Sequence, residues 1–344
     1  MRKSLYWSLA SAAALGMLTW ACGAVGAPTS SKPGAARKAR APAVPAAPAA
    51  AIGAANAERV KLVWEADAGE RGRAVALERR SARLAAATGT PVVLYELGTG
   101  KRIGELPSCS DVVRGGLGFF RTKLVVVCES GLELHDAVKR VKLAAPRIAS
   151  ARVTAAAIVG NRIALGHRDG VVRIYSLEGA PTLEIAVPGP PIDVKSLDLT
   201  RDGARVAVAW VQGSIWWWNT AQPALSYDLV RHDSESDAVE FSDDGSLFAE
   251  EGRSSYTTVW AFSDKPVEKA RLRNGAWIKR IRFTRDARWL ARGGSDGLEL
   301  AELAGPKRVV LDTRGAVEDV VFDELGVGLA AIDRDGRVTL WAAR

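Results

Sequence analysis

The chain is poor in the residues that hold metals or carry redox chemistry: it has three cysteines, three histidines and no C-x-x-C pair. A structural zinc site, an iron–sulfur cluster or a His-based metal centre needs clustered ligands of those types, so the sequence assigns no metal and no cofactor. Acidic residues are missing altogether from residues 1–57, which carry Arg2, Lys3, Lys32, Arg37, Lys38 and Arg40. Those side chains hold most of the formal charge of +8 and leave about +2 for everything that follows, which excludes a broadly basic, nucleic-acid-binding domain. Helical patterning is lacking too, since from Arg59 onward no run of about ten residues combines a 3.6-residue apolar period with caps. What is present is ordinary: of the 344 residues, 48% are hydrophobic and 25% charged, enough for a folded core and unlike a disordered, collagenous or polytopic membrane chain.

The amino terminus reads Arg2-Lys3, an apolar stretch from Leu5 to Trp20, then the small residues Ala21, Cys22, Gly23 and Ala24. This is the three-part layout of a secretory signal, and the apolar run is too short for a permanent spanning helix of about 20 residues. Leu18-Thr19-Trp20-Ala21-Cys22 resembles a bacterial lipobox, with Thr19 and Trp20 where leucine and a small residue are usual. The resemblance implies acylation of Cys22 and a membrane anchor, and the alternative is ordinary cleavage near Ala24 to Ala27 with release. Either places the protein outside the cytoplasm, in the bacterial cell envelope. The expected organisation is a signal over 1–22, an Ala/Pro-rich tether over 23–57 without the bulky apolar content to bury a face, and a folded domain over 58–344.

The folded part consists of short β-branched runs separated by Gly and Asp turns, which predicts an all-β fold. Aligning the third run of each group gives Tyr95, His135, Tyr175, Trp218, Trp260, Ala301 and Trp341, a period of about 41 residues. The preceding turn repeats the register at Gly89, Gly131, Gly170, Gly213, Gly297 and Gly336. Within units, Gly160-Asn161, Asp202-Gly203, Asp244-Gly245 and Asp286-Ala287 mark tight hairpins between the first and second runs. Each unit therefore reads as a four-stranded meander. A sheet of that kind cannot bury both faces alone, so the period predicts seven blades around an axis. The last unit has three strands and the run 59–66 stands alone ahead of the first, so the expectation is a seven-bladed β-propeller whose last blade is completed by the N-terminal strand, removing an open edge.

Asp169-Gly170-Val171-Val172-Arg173-Ile174-Tyr175, Asp296-Gly297-Leu298-Glu299-Leu300 and Asp335-Gly336-Arg337-Val338-Thr339-Leu340-Trp341 resemble the third-strand signature of WD-repeat propellers, and Phe241-Ser242-Asp243-Asp244-Gly245 resembles their first-hairpin signature. The resemblance covers nearly all of 59–344. It departs in having no Gly-His opening and in reading Trp-Asn or Trp-Ala at Trp218, Trp260 and Trp341, so the family's buried His–Asp–Ser–Trp network is mostly absent and blade cohesion is expected to rest on apolar packing.

No catalytic residue is assigned. Gly293-Gly294-Ser295-Asp296-Gly297 matches G-x-S-x-G, but that elbow needs a following helix and a strand follows here. Asp333-Arg334-Asp335-Gly336 lacks the glutamate that would close a calcium loop. Trp216-Trp217-Trp218 falls in a strand covered on both faces, so core packing is expected. The family resemblance puts the inter-unit connections and the second-to-third-strand turns on one partner-facing rim. There Arg231, His232, Arg253, Arg273 and Trp277 combine guanidinium groups with a broad aromatic, the composition of a protein-binding hot spot for an acidic surface. Cys109 and Cys128 form an even pair in an oxidising compartment. Hairpin counting puts Cys109 opposite a residue near 132, about 13 Å from 128, so a bridge requires the loop to fold back and free thiols are the alternative. The reading is a non-catalytic protein-binding scaffold, monomeric alone, with an acidic protein partner, the membrane through its anchor and no nucleic acid. The rivals are an enzymatic propeller of lactonase or quinoprotein type, for which no recurring set of axial carboxylates, His or Arg is evident, and an assembly subunit resembling the propeller lipoprotein of the outer-membrane β-barrel machinery.

Overall fold

The computed structural model describes residues 50–148, 151–178, 181–186, 192–224, 226–231, 235–252, 255–262 and 266–343. The signal, Cys22 and most of the tether lie outside the described residues. The described residues are all-β, with 28 strands and one 3-10 turn at Ala57–Arg59. Among the described residues no helix is long and apolar enough to cross a membrane.

The strands form four-stranded antiparallel units, numbered here as sheets 1 to 7 by their first strands: Ala74–Glu78, Val112–Phe120, Val153–Val159, Val194–Leu199, Ser236–Phe241, Ile278–Phe283 and Val317–Phe322. Strands follow chain order within each sheet. Sheet 7 has only three of its own, and Val60–Asp67 takes the outer place, paired antiparallel with Arg337–Ala343 from Val60↔Ala343 to Asp67↔Arg337. The first strand of each sheet lies against that of the next, from sheet 1 through sheet 7, and the first strand of sheet 7 lies against that of sheet 1. Sheets 2 and 3 approach closely enough to form a parallel bridge, Ala155↔Arg114.

The repeat read from the sequence coincides with these strands. Tyr95, His135, Tyr175, Trp218, Trp260, Ala301 and Trp341 all lie in third strands and face equivalent second-strand partners, for example Leu84↔Tyr95, Val206↔Trp218 and Leu329↔Trp341. The apolar core is divided in the same way, into clusters that each join consecutive sheets. One contains Trp289 and Ala291 of sheet 6 with Val317 and Leu329 of sheet 7, and another contains Ile332 and Leu340 of sheet 7 with Val75 and Leu84 of sheet 1. Trp217 and Trp218 are buried and Trp216 is half-buried, stacked edge-on against Trp210.

One feature differs from the reading of the sequence, and an alternative that it left open is decided. Residues 51–57, assigned by composition to the tether, are packed: Ile52 and Ala57 join the core of sheets 6 and 7, the Ile52 N–H donates to Gly326 O at 2.7 Å, and the Ala54 N–H donates to Asp286 Oδ2 at 2.8 Å. One bulky aliphatic and a carboxylate cap are enough to dock a segment that has no periodicity. The loop before sheet 2 does fold back, and Cys109 and Cys128 are bridged with their Cα atoms 6.2 Å apart. The reason is a register shift in which Val112 to Leu117 opposes only Cys128 to Val126, so Val112 itself pairs with Cys128 and brings Cys109 alongside. Gly115 sits in that shift at φ +69, and a Cβ there would lie 2.0 Å from Ala156 O.

Candidate functional site

A first strand lies at the inner edge of its sheet, where its unpaired N–H groups need partners. For sheets 5 and 1, side chains of the preceding sheets 4 and 7 supply some of them. Asp198 Oδ2 accepts the Phe241 N–H at 2.7 Å, Ser196 Oγ accepts the Val239 N–H at 3.3 Å, and Asp319 Oδ2 of sheet 7 accepts the Val75 N–H of sheet 1 at 3.0 Å. Ion pairs run between the same strands, with Arg282 on Glu240 and Arg280 on Asp319 at 2.9 Å. Cohesion between sheets is therefore not apolar alone, contrary to what the missing His–Asp–Ser–Trp network suggested.

These groups line a cavity of about 600 Å³ bounded by the first strands and the hairpins that follow them. Asp198, Glu240, Arg280, Arg282 and Asp319 form its charged wall, while Val75, Leu77, Leu117, Phe119 and Ile158 from sheets 1 to 3 form an apolar one. Burial pushes the Asp198 carboxyl up to about 6, with Arg282 opposing. Burial also raises Glu240 well above the ordinary range; Arg282 opposes that shift and the neighbouring Asp198 adds to it. Arg280 is lowered to about 10 by burial, whereas for Arg282 the adjacent Glu240, Asp319 and Asp198 outweigh burial and strengthen its charge. A converging set of carboxylates and guanidiniums thus exists, although none is evident at the level of the sequence. The signal was there: Asp198, Glu240 and Arg282 each stand four residues before the hairpin aspartates Asp202, Asp244 and Asp286. They alternate with buried apolar residues in Leu197-Asp198-Leu199, Val239-Glu240-Phe241 and Ile281-Arg282-Phe283.

A second cluster lies at a bulge in these strands. The pairing registers shift at Val194/Ser196, Ser236/Ala238, Ile278/Arg280 and Val317/Asp319, which re-aims Lys195, Asp237, Lys279 and Glu318. Lys195 pairs with Glu235 at 2.9 Å and Asp237 at 3.5 Å, Lys279 pairs with Glu318, and Arg114 of sheet 2 reaches Asp237 of sheet 5 at 3.8 Å.

Trp277 joins this cluster from the connection between sheets 5 and 6. Its indole Nε1–H donates to Asp237 Oδ2 at 2.5 Å, the Lys279 ammonium lies 5.4 Å from its ring centroid, and the side chain remains 42% exposed. Arg273, exposed at the end of the last strand of sheet 5, pairs in register with Tyr256. A buried network holds the connection: Arg292 Nη2 donates to Arg273 O at 3.2 Å, Arg292 pairs with Glu299, Arg292 Nη1 donates to Asn274 Oδ1 at 2.7 Å, and Asn274 Nδ2 donates to Glu251 Oε1 at 2.9 Å. Burial raises the Glu251 carboxyl to about 8, against its hydrogen bonds from Thr257 and Asn274. Of the other residues read as a rim, Arg231 ends a strand whose backbone pairs with Ser214, and His232 and Arg253 lie outside the described residues.

Ser295 sits in a strand-to-strand turn with its N–H on Trp277 O at 2.9 Å, and Asp333 Oδ1 accepts the Asp335 and Arg337 N–H groups. Both are turn-forming residues. Cys109, Asp111 and Cys128 lie close enough to share an ion, but the two sulfurs are bonded to each other. Compared with known proteins, the sequence matches no family model, and no curated protein is significantly similar to it.

Proposed function

We propose that the domain is a seven-bladed, WD-like β-propeller acting as a non-catalytic protein-binding platform of the bacterial cell envelope, tethered through an acylated Cys22. Four-stranded units, first strands in cyclic contact and an N-terminal strand completing the last sheet support the propeller part of this reading. The observation that carries the binding part is Trp277. It is a large exposed aromatic fixed by a hydrogen bond to a buried carboxylate, in a connection that a buried Arg292 network holds in place. An aromatic anchor that loses little freedom on binding, in the connection that begins at Arg273, is the composition of an interface hot spot, and the guanidinium suits an acidic partner.

The test is capture of partners from crosslinked envelopes. Trp277→Ala combined with Arg273→Ala should weaken capture by about 2 kcal/mol or more with little change in thermal stability, whereas Lys139→Ala with Arg140→Ala should do little. Comparable losses from both pairs would refute the rim assignment.

One observation favours the enzymatic rival, the convergence of Asp198, Glu240, Arg280, Arg282 and Asp319 on one cavity. Most of these groups already serve as partners to a neighbouring sheet, so the scaffold reading is preferred.

A further inference from the structure

The hairpins between first and second strands each contribute a residue to the lining of the axial cavity: Arg80, Arg121, Gly160, Arg201, Asp243, Arg285 and Glu324 from sheets 1, 2, 3, 4, 5, 6 and 7. Arg201 is spent on Asp243 at 2.8 Å, and Glu324 accepts the Arg79 N–H at 3.2 Å. The guanidinium groups of Arg80, Arg121 and Arg285 are exposed and form no ion pair with a carboxylate among the described residues, although the Arg80 N–H donates to Glu78 Oε1 at 3.2 Å; Arg121 lies against the Phe120 ring. They come from sheets 6, 1 and 2, so they stand on one arc of the mouth, with sheet 7 between the first two.

That arc adjoins the apolar wall. Leu77 belongs to the strand that leads to Arg80, and Phe119 to the one that leads to Arg121. The other carboxylates of the lining are held by neighbouring groups: Glu240 by Arg282, Asp319 by Arg280, Asp198 by the Phe241 amide, Asp323 by Arg79, and Glu78 by the Arg80 and Ser81 amides. Unpaired guanidiniums at an entrance, an apolar surface beside them and a volume within the usual range of roughly 300–1,000 Å³ for small-molecule sites describe a receptor for an amphiphilic anion.

We infer that the axial cavity binds a small organic anion, its carboxylate or phosphate held by Arg80, Arg121 and Arg285 and its apolar body laid against Leu77, Phe119 and Ile158. The site is separate from Trp277 and does not rest on the rim reading. Guanidinium forks match both head groups, and the apolar body distinguishes the ligand from a free inorganic ion.

The test is titration of the folded domain with octanoate, octyl phosphate, octanol and inorganic phosphate, followed by ligand-detected NMR. At least one of the two octyl anions should bind at least tenfold more tightly than both octanol and inorganic phosphate, and which of them binds better identifies the head group. Arg80→Gln with Arg285→Gln should weaken that anion at least tenfold at unchanged melting temperature, while Lys61→Gln with Arg288→Gln, away from the lining, should leave it unchanged. The inference is overturned if neither octyl anion binds, if octanol or inorganic phosphate binds as well as the better of them, or if the two double variants behave alike. Should the first variant fold poorly, the comparison among the four probes on the unaltered domain still decides the matter.

Discussion

The inner strands of sheets 1 to 3 and those of sheets 4 to 7 solve one packing problem with different chemistry. The first group uses small and apolar residues, Ala74 and Ala76, Gly115, Gly116 and Gly118, and Ala155 to Ala157, which let backbones approach until sheets 2 and 3 share the bridge Ala155↔Arg114. The second group uses Asp198, Glu240, Arg280, Arg282 and Asp319, which cap backbone N–H groups and pair across sheet boundaries. Close approach tolerates no added atom, whereas a side-chain link tolerates no unmatched charge. The two halves should therefore fail in different ways.

The largest effect is expected at Asp319. Its replacement by Ala leaves Arg280 buried without its carboxylate and the Val75 N–H without an acceptor, and should cost about 3–5 kcal/mol in urea unfolding. A loss below about 1 kcal/mol would mean that water replaces the carboxylate and that the charged half is held mainly by apolar contacts. Reduction of the Cys109–Cys128 bridge, which spans 19 residues of sequence in the apolar half, should cost about 3 kcal/mol, read as a lower denaturation midpoint and a two-dalton mass gain. Gly115→Ala comes next, at about 2–3 kcal/mol, because the new methyl meets Ala156 O in a backbone conformation that favours glycine. Its cost should be the same at all pH values, which separates it from the charged half.

The smallest effect is a pH dependence. With its carboxyl raised to about 6 against roughly 3.9 in the unfolded chain, Asp198 binds its proton more readily when folded. Its contribution to stability is therefore complete below the unfolded value and is lost as pH rises through about 6. Asp198→Asn mimics the protonated form and can still accept the Phe241 N–H. The wild type should thus lose about 1–2 kcal/mol relative to the variant between about pH 4 and about pH 7 in paired thermal melts. A constant difference over that range would place Asp198 in a better-solvated site than its neighbours suggest.

The all-β class, the register of the third strands and the outer place of Val60–Asp67 were legible in the sequence because turn glycines and apolar alternation are local signals. The charged wall was not, because Asp198, Glu240 and Arg282 look like solvent-facing positions of half-buried strands until the sheets are placed against one another. The same limit applied to Cys109. Hairpin arithmetic assumes a regular ladder, and the register shift around Gly115 is a tertiary feature, fixed by how closely sheet 2 approaches sheet 3. Trp277 was noticed for its place in a connection, but its bond to Asp237 depends on a bulge that no local pattern announces.

The strand Val60–Asp67 also has a mechanical meaning. It touches two core clusters, through Val60 in that of sheets 6 and 7 and through Trp64 in that of sheets 7 and 1, where the indole Nε1–H donates to Leu97 O at 2.8 Å. A load applied ahead of Ile52 meets the docked segment 51–57, bonded to Gly326 and Asp286, and then this strand before reaching the rest. Peeling it away would bare the ladder edge of Arg337–Ala343 and empty the Trp64 slot in the same event. A pull on the amino-terminal side therefore loads two attachments in series, the docked segment 51–57 and then this strand, and the second to give way opens the ladder of sheet 7.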